Sequence, residues 1–138
     1  MLTYDWPRFW RNVDTAALVM DSDGYLPDPA VPWGKVNPHL ASFAQFASVP
    51  CLVLLGPPGM GKTYALRDAA ASAASDSSTD VKLINLRQYS NEVRLVADLT
   101  STLQPYAISG RSIQLFLDSF DECLLRVDTL QAIIMEQL

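Results

Sequence analysis

From residue 51 onward the apolar positions alternate between two kinds of pattern. CLVLL (51–55), VKLINL (81–86) and IQLFLD (113–118) are short apolar runs, the pattern of strands covered on both faces. Between them, the alanine-rich stretch 62–75 and residues 91–103, with Val93, Val96, Leu99 and Leu103 on one face, carry the helical period. Val127, Leu130, Ile133, Ile134 and Leu138 mark a last helix, while 75–80 reads as a turn and the stretch up to Arg111 as a loop. Strands and helices in alternation, with connections long enough for crossovers, predict right-handed βαβ units in a parallel sheet, an α/β architecture. Ligands in such sheets bind at the carboxyl ends of the strands.

Before residue 51 the pattern is different. Tyr4, Trp6, Phe9, Trp10, Tyr25 and Trp33 are interleaved with Pro7, Pro27, Pro29 and Pro32. Proline at that density excludes long regular elements, yet the aromatics call for packing, so an irregular but ordered segment is expected. AALVM (16–20) reads as one short strand and DSDG (21–24) as a turn. Asn37 and Pro38 resemble an N-cap and first turn, with Leu40, Phe43, Ala44 and Ala47 at helical spacing up to Pro50. The expected division is an N-terminal segment over 1–48 and an α/β core over 49–138.

Composition narrows the function classes. The 138 residues carry 10 Lys and Arg against 15 Asp and Glu, a net charge of −5, with no basic stripe to follow a nucleic-acid backbone. No apolar run is long enough to span a bilayer and MLTYDWPRFW lacks the form of a signal peptide, so a cytoplasmic protein is expected. Cys51 and Cys123, each within an apolar run, read as two buried free thiols.

GPPGMGKT (56–63) fits G-x-x-x-x-G-K-[ST] at every fixed position and sits between an expected strand and an expected helix. A chance match in a chain this long is on the order of half a per cent from average residue frequencies. Glycine at 56, 59 and 61 lets the backbone curl toward a phosphate, whereas Pro57 and Pro58 have no N–H to offer. The anion-binding donors are therefore the N–H groups from Gly59 through Met60, Gly61, Lys62 and Thr63, with Tyr64 next in line. Lys62 is suited to the terminal phosphates of a nucleotide and the Thr63 hydroxyl to Mg²⁺. A plain glycine turn would account for the glycines but not for Lys-Thr in register.

LDSFDE (117–122) places Asp118 at a strand end and Asp121 and Glu122 just beyond it. A carboxylate on a strand tip beside a phosphate loop holds Mg²⁺ through its water shell, which is the role expected of Asp118. Asp121 or Glu122 would orient or deprotonate an attacking water; the competing reading is that both only favour the start of a helix. Three neighbouring carboxylates repel, so without a cation one of them is expected to titrate high. Arg87 and Arg126 read as solvated charges more readily than as phosphate ligands.

With both motifs in hand, the chain resembles a NACHT-type P-loop NTPase of the STAND class, whose acidic motif runs Asp, small, hydrophobic, Asp, Glu, as in Asp118, Ser119, Phe120, Asp121 and Glu122. Ser119 stands where glycine is commoner. The resemblance covers 51–138 well and extends weakly over the aromatic segment, where it implies that Tyr25 to Pro29 line an adenine site. It implies a three-layer P-loop fold with three of the usual five core strands present, Walker A at 56–63 and Walker B at Asp118, and a Mg²⁺-dependent ATP hydrolase acting as a signalling switch between ADP and ATP states. In that fold a further strand separates the P-loop strand from the Walker B strand. The sensor strand and winged-helix domain lie outside these residues, and His39 precedes the loop, so it does not match the winged-helix histidine. The chain therefore reads as the front half of such a core, with homo-oligomerisation or completion by another chain or a missing C-terminal part expected. The alternative is a non-catalytic fragment or interaction subunit that keeps the motifs. No guanine-reading Asn-Lys-x-Asp stretch is present, which favours ATP.

Overall fold

Residues Asp80–Asn85 (β1) and Ile113–Asp118 (β2) pair in parallel, with Asp80 opposite Ile113 and Asn85 opposite Asp118. They are joined by a crossover through the helix Glu92–Ser109 (α2), as a parallel pair requires. The structure is a computed structural model describing residues 8–15, 17–75 and 79–137. The chain divides into two compact units, Met1–Leu55 and Gly56–Leu138.

The second unit is built around the β1–β2 pair. Alternation along the strands puts Ile84 and Leu117 on one face and Leu83 and Phe116 on the other. Ile84 and Leu117 pack on a core formed by Leu86, Leu95, Leu99, Cys123, Leu130 and Ile133. These come from α2, the short helix Phe120–Leu124 (α3), the helix Leu130–Gln137 (α4) and the turn after β1. Asp118 shares the Phe116 face and bonds to Thr63, which places the helix Lys62–Ala74 (α1) on that side, with Ala65 and Ala70 buried. Helices thus lie on both faces of a parallel sheet, an α/β arrangement.

Four expectations are corrected here. The sheet has two strands, not three: Cys51–Leu55 joins no ladder among the described residues, and Val53 and Leu55 are 73% and 68% exposed. A continuous apolar run is a strand only when partners flank it, and none is paired to this one. Cys51 is accordingly exposed; only Cys123 is a buried thiol. α2 runs on through Pro105 to Ser109, where a loop was expected. The hydrogen bond that proline forfeits belongs to the Ser101 carbonyl, and both residues are on the exposed side of the helix, where water can take it up. Asn91 caps α2 by accepting from the Arg94 N–H at 3.0 Å, and Gly110 closes it in the left-handed conformation. The buried stripe of α2 is Leu95 and Leu99; Val93, expected on it, is 80% exposed. The turn expected at 75–80 falls partly, and Leu138 wholly, outside the described residues.

The described residues of the unit Met1–Leu55 are irregular, as its prolines demand. Trp10 and Ala41 exchange two backbone hydrogen bonds at 2.8 Å, and the Trp10 and Phe43 rings meet edge to face at 6.2 Å. The strand expected at 16–20 is absent over the described residues 17–20: the Val19 N–H and carbonyl are held by the Asn37 side chain at 2.9 and 2.7 Å. Asn37, occupied this way and buried, does not cap a helix over 38–49. Pairing of Ala41 with Trp10 fixes the backbone there, and only the 3-10 turn Phe43–Phe46 forms, its start tied by Ser42 N–H to Gln45 Oε1 at 2.8 Å. The 21–24 turn is present, with Asp21 Oδ1 accepting from the Asp23 and Tyr25 N–H groups. Gly34 is required by crowding, since a Cβ there would collide with the Asp28 carbonyl. No helix among the described residues is long and apolar enough to cross a membrane.

Leu99, 1% exposed, sits in the core, so Leu99→Ala is expected to lower the unfolding free energy by about 2–5 kcal/mol, and exposed Val93→Ala by less than about 0.5 kcal/mol, in urea titrations. Burial pushes the Tyr89 phenol above its ordinary 10.0, assisted by Asp98, and pushes the Cys123 thiol above its ordinary 9.0. Both are neutral when buried, so their contribution is complete below those ordinary values and is lost as pH rises through the folded-state values. Stability is expected to hold level from neutral pH to about 8.5 and to fall above it, less steeply in Tyr89→Phe; an equal fall in both proteins would refute the role of Tyr89.

Candidate functional site

The loop GPPGMGKT turns into α1 at Gly61, whose φ of 83° and ψ of 19° lie in the left-handed region; Gly59 has the same φ of 83°. A Cβ at Gly59 would meet open space, so backbone conformation and not crowding calls for glycine there. Gly56 does not share this property. Its φ is not positive and a Cβ would be unobstructed, which corrects the expectation that it helps curl the loop. What Gly56 supplies is its carbonyl: Lys62 Nζ donates to Gly56 O at 2.6 Å and to Pro57 O at 3.2 Å. The lysine thus clasps the two ends of the loop together.

Gly61 brings no side chain to cap α1, so the N–H groups of its first turn face out of the helix end without an intrahelical acceptor. Directly opposite is the end of β2. Thr63 Oγ1 donates to Asp118 Oδ1 at 3.0 Å, joining positions 55 apart, and the Ser119 N–H donates to the same oxygen at 2.9 Å. Asp118 is 7% exposed.

Ser119 follows with φ 63° and ψ 43°, the one non-glycine residue with positive φ among the described residues. This left-handed residue reverses the chain from β2 into α3 and sets Asp121 and Glu122 in the first turn of that helix, both exposed. A cleft of about 270 Å³ results, walled by residues 58–64 on one side and by Asp118, Ser119, Asp121 and Glu122 on the other. Of the residues expected to act together, Gly59, Met60, Gly61, Lys62, Thr63, Tyr64, Asp118, Asp121 and Glu122 all line it; Gly56 does not. Ser119 and Pro58 line it as well, and for Ser119 the departure from glycine in the acidic motif was the available signal. Arg87 and Arg126 do not: Arg126 Nη1 donates to the Arg87 carbonyl at 3.0 Å.

The electrostatics of the acids differ from simple repulsion. Asp121 is held below the ordinary carboxylate value, first by a hydrogen bond with the Glu122 side chain, then by its own N–H, with the Lys62 charge adding to these against a small opposing cost of desolvation. A depressed carboxyl contributes stability above its ordinary value and loses it as pH falls through the folded one; its exposure to solvent keeps that contribution small.

Among the described residues no three His, Cys, Asp or Glu side chains are grouped to hold a metal. The donors present are a hydroxyl and a carboxylate, Thr63 and Asp118. That set fits Mg²⁺, which keeps several waters and takes one or two protein oxygens together with those of a phosphate. It falls short of zinc, which takes three or four protein ligands, chiefly His nitrogen and Cys sulfur.

No family model, no curated protein and no solved structure matches this chain.

The backbone at Ser119 gives a direct test. Ser119→Gly removes a left-handed cost of about 1 kcal/mol but frees the unfolded chain by a similar amount, so stability is expected to change by less than about 1 kcal/mol. Ser119→Val, β-branched at the same φ, is expected to lose about 1–3 kcal/mol in urea unfolding. Within the loop, Gly59→Ala is expected to cost about 1 kcal/mol and Gly56→Ala less than about 0.5 kcal/mol. Equal costs at the two glycines would contradict the conformations described.

Proposed function

We propose that this chain binds a nucleoside di- or triphosphate with Mg²⁺, ATP and ADP being the forms expected, as a P-loop NTPase of the NACHT and STAND kind. The observation that carries the reading is the 3.0 Å hydrogen bond between Thr63 and Asp118, which joins the two motifs at one cleft. Neither motif's spacing requires the other to be near.

In this reading the N–H groups of residues 59–63 and the start of α1 hold phosphate oxygens. Lys62 exchanges its loop carbonyls for the terminal phosphates. Thr63 and Asp118 would hold Mg²⁺, which supplies charge neutralisation along the phosphate chain. Asp121 or Glu122, exposed to the cleft, orients or deprotonates the attacking water. A nucleotide-dependent signalling switch is the function the resemblance adds. A second reading, an interaction subunit that binds without hydrolysing, is favoured by the exposed and unpaired Cys51–Leu55 run, which suits a partner surface.

The test is thermal unfolding with Mg²⁺ plus ATP or ADP, beside Lys62→Ala. Ligand at a hundredfold over its dissociation constant adds about 2.7 kcal/mol to the folded state, a rise of several degrees in midpoint. The rise is expected in the native sequence and not in Lys62→Ala, which should otherwise unfold with similar cooperativity. Phosphate release, reduced at least about tenfold in Glu122→Gln or Asp121→Asn, separates hydrolysis from the binding-only reading. An unchanged midpoint in a cooperatively folded chain would end the nucleotide proposal.

A further inference from the structure

We propose that the Ser119 hydroxyl is a ligand-binding group of the cleft, donating to the terminal phosphate of a bound nucleoside triphosphate and so favouring triphosphate over diphosphate. This rests on the nucleotide reading and adds to it a residue that the resemblance does not assign, glycine being commoner at that position.

The turn from β2 into α3 fixes where this residue stands. The Ser119 N–H donates to Asp118 Oδ1 at 2.9 Å, and its carbonyl accepts from the Cys123 N–H at 3.1 Å. Both peptides flanking the residue are thus committed, and φ 63° with ψ 43° is the conformation that joins them. Glycine adopts that conformation without a Cβ penalty. Serine bears the penalty at a half-buried position lining the cleft, so what it keeps over glycine is its side chain.

The chemistry of the wall says what that side chain can do. Asp118, Ser119, Asp121 and Glu122 line this side of the cleft. Carboxylates offer only acceptors, and a phosphate oxygen is itself an acceptor. The serine hydroxyl is therefore the one side-chain donor with which this wall can meet a phosphate. Among the described residues it makes no hydrogen bond, so a ligand displaces nothing in reaching it. In the nucleotide reading the loop at 59–63 holds the phosphate chain from the opposite side. The group left to meet the acidic wall is then the terminal phosphate, which a diphosphate lacks.

The deciding experiment is calorimetric titration, at one Mg²⁺ concentration, of the full chain and its Ser119→Ala and Ser119→Gly variants. The ligands are ADP and the non-hydrolysable β,γ-imido analogue of ATP, and thermal unfolding first verifies that each chain is folded. Alanine removes the hydroxyl and leaves the backbone cost; glycine removes both, and carries the comparison if alanine unfolds. Both variants are expected to bind the ATP analogue at least about tenfold more weakly, the loss of one hydrogen bond to a charged group. Both are expected to bind ADP within about twofold of the native sequence. Unchanged binding of the analogue in either folded variant would overturn the proposal. Equal losses for ADP and the analogue would also overturn it, placing the hydroxyl against the cation's waters or the inner phosphates. A folded native chain that binds neither ligand would remove the nucleotide reading itself.

Discussion

Parallel pairing of β1 with β2 is the constraint on which the rest of the Gly56–Leu138 unit depends. A parallel pair cannot be closed by a hairpin, so the chain must return through α2, and that return brings Leu95 and Leu99 onto one face of the sheet. The register then ends both strands together, Asn85 opposite Asp118. Because side chains alternate, Asp118 emerges on the face opposite Leu117, the face from which Thr63 reaches it. A slip of one residue would turn Asp118 toward the core and Leu117 toward the loop, exchanging a hydrogen-bonded carboxylate for a buried unpaired one. The same pairing that buries the core therefore fixes where the acid stands.

Much of this was legible in the sequence because its signals are local. The β1 and β2 runs, the start of α1 after Gly61 and the helix beginning about Asn91 each follow from a few adjacent residues, and the structure has all of them. The errors arise where a segment's fate depends on what lies beside it. Asn37 has the form of a helix cap, yet its amide takes the place of a strand partner for Val19, a contact across 18 positions that no local pattern announces. Cys51–Leu55 has the composition of a buried strand, yet composition states only that the segment can be buried. Val93 falls at the right spacing for the buried face of α2, but the stripe that packs is turned toward Leu95 and Leu99, and only the neighbouring helices decide that rotation.

The site divides in the same way. Residue types and spacing named every residue that lines the cleft except Pro58 and Ser119, and could not say that the two motifs meet. That meeting rests on two hydrogen bonds to one oxygen of Asp118, one from α1 and one from the peptide that turns left-handed at Ser119. Serine in that conformation costs about 1 kcal/mol relative to glycine. The cost is borne where it fixes the exit of the chain from β2, and with it the positions of Asp121 and Glu122.

Charge in the cleft gives the proposed ligand its remaining requirement. Lys62 is one positive charge facing three carboxylates, Asp118, Asp121 and Glu122, and its ammonium is already bonded to Gly56 and Pro57. The Asp121 carboxyl is held below its ordinary value, by Glu122 first and with the nearby lysine charge adding, so Asp121 keeps its negative charge at neutral pH. A phosphate chain entering alone would add to that charge. A phosphate chain entering with a divalent cation brings the counter-charge with it, beside the hydroxyl and carboxylate of Thr63 and Asp118. In the proposed reading the cleft therefore suits an anion together with its metal, through the counter-charge that the cation brings.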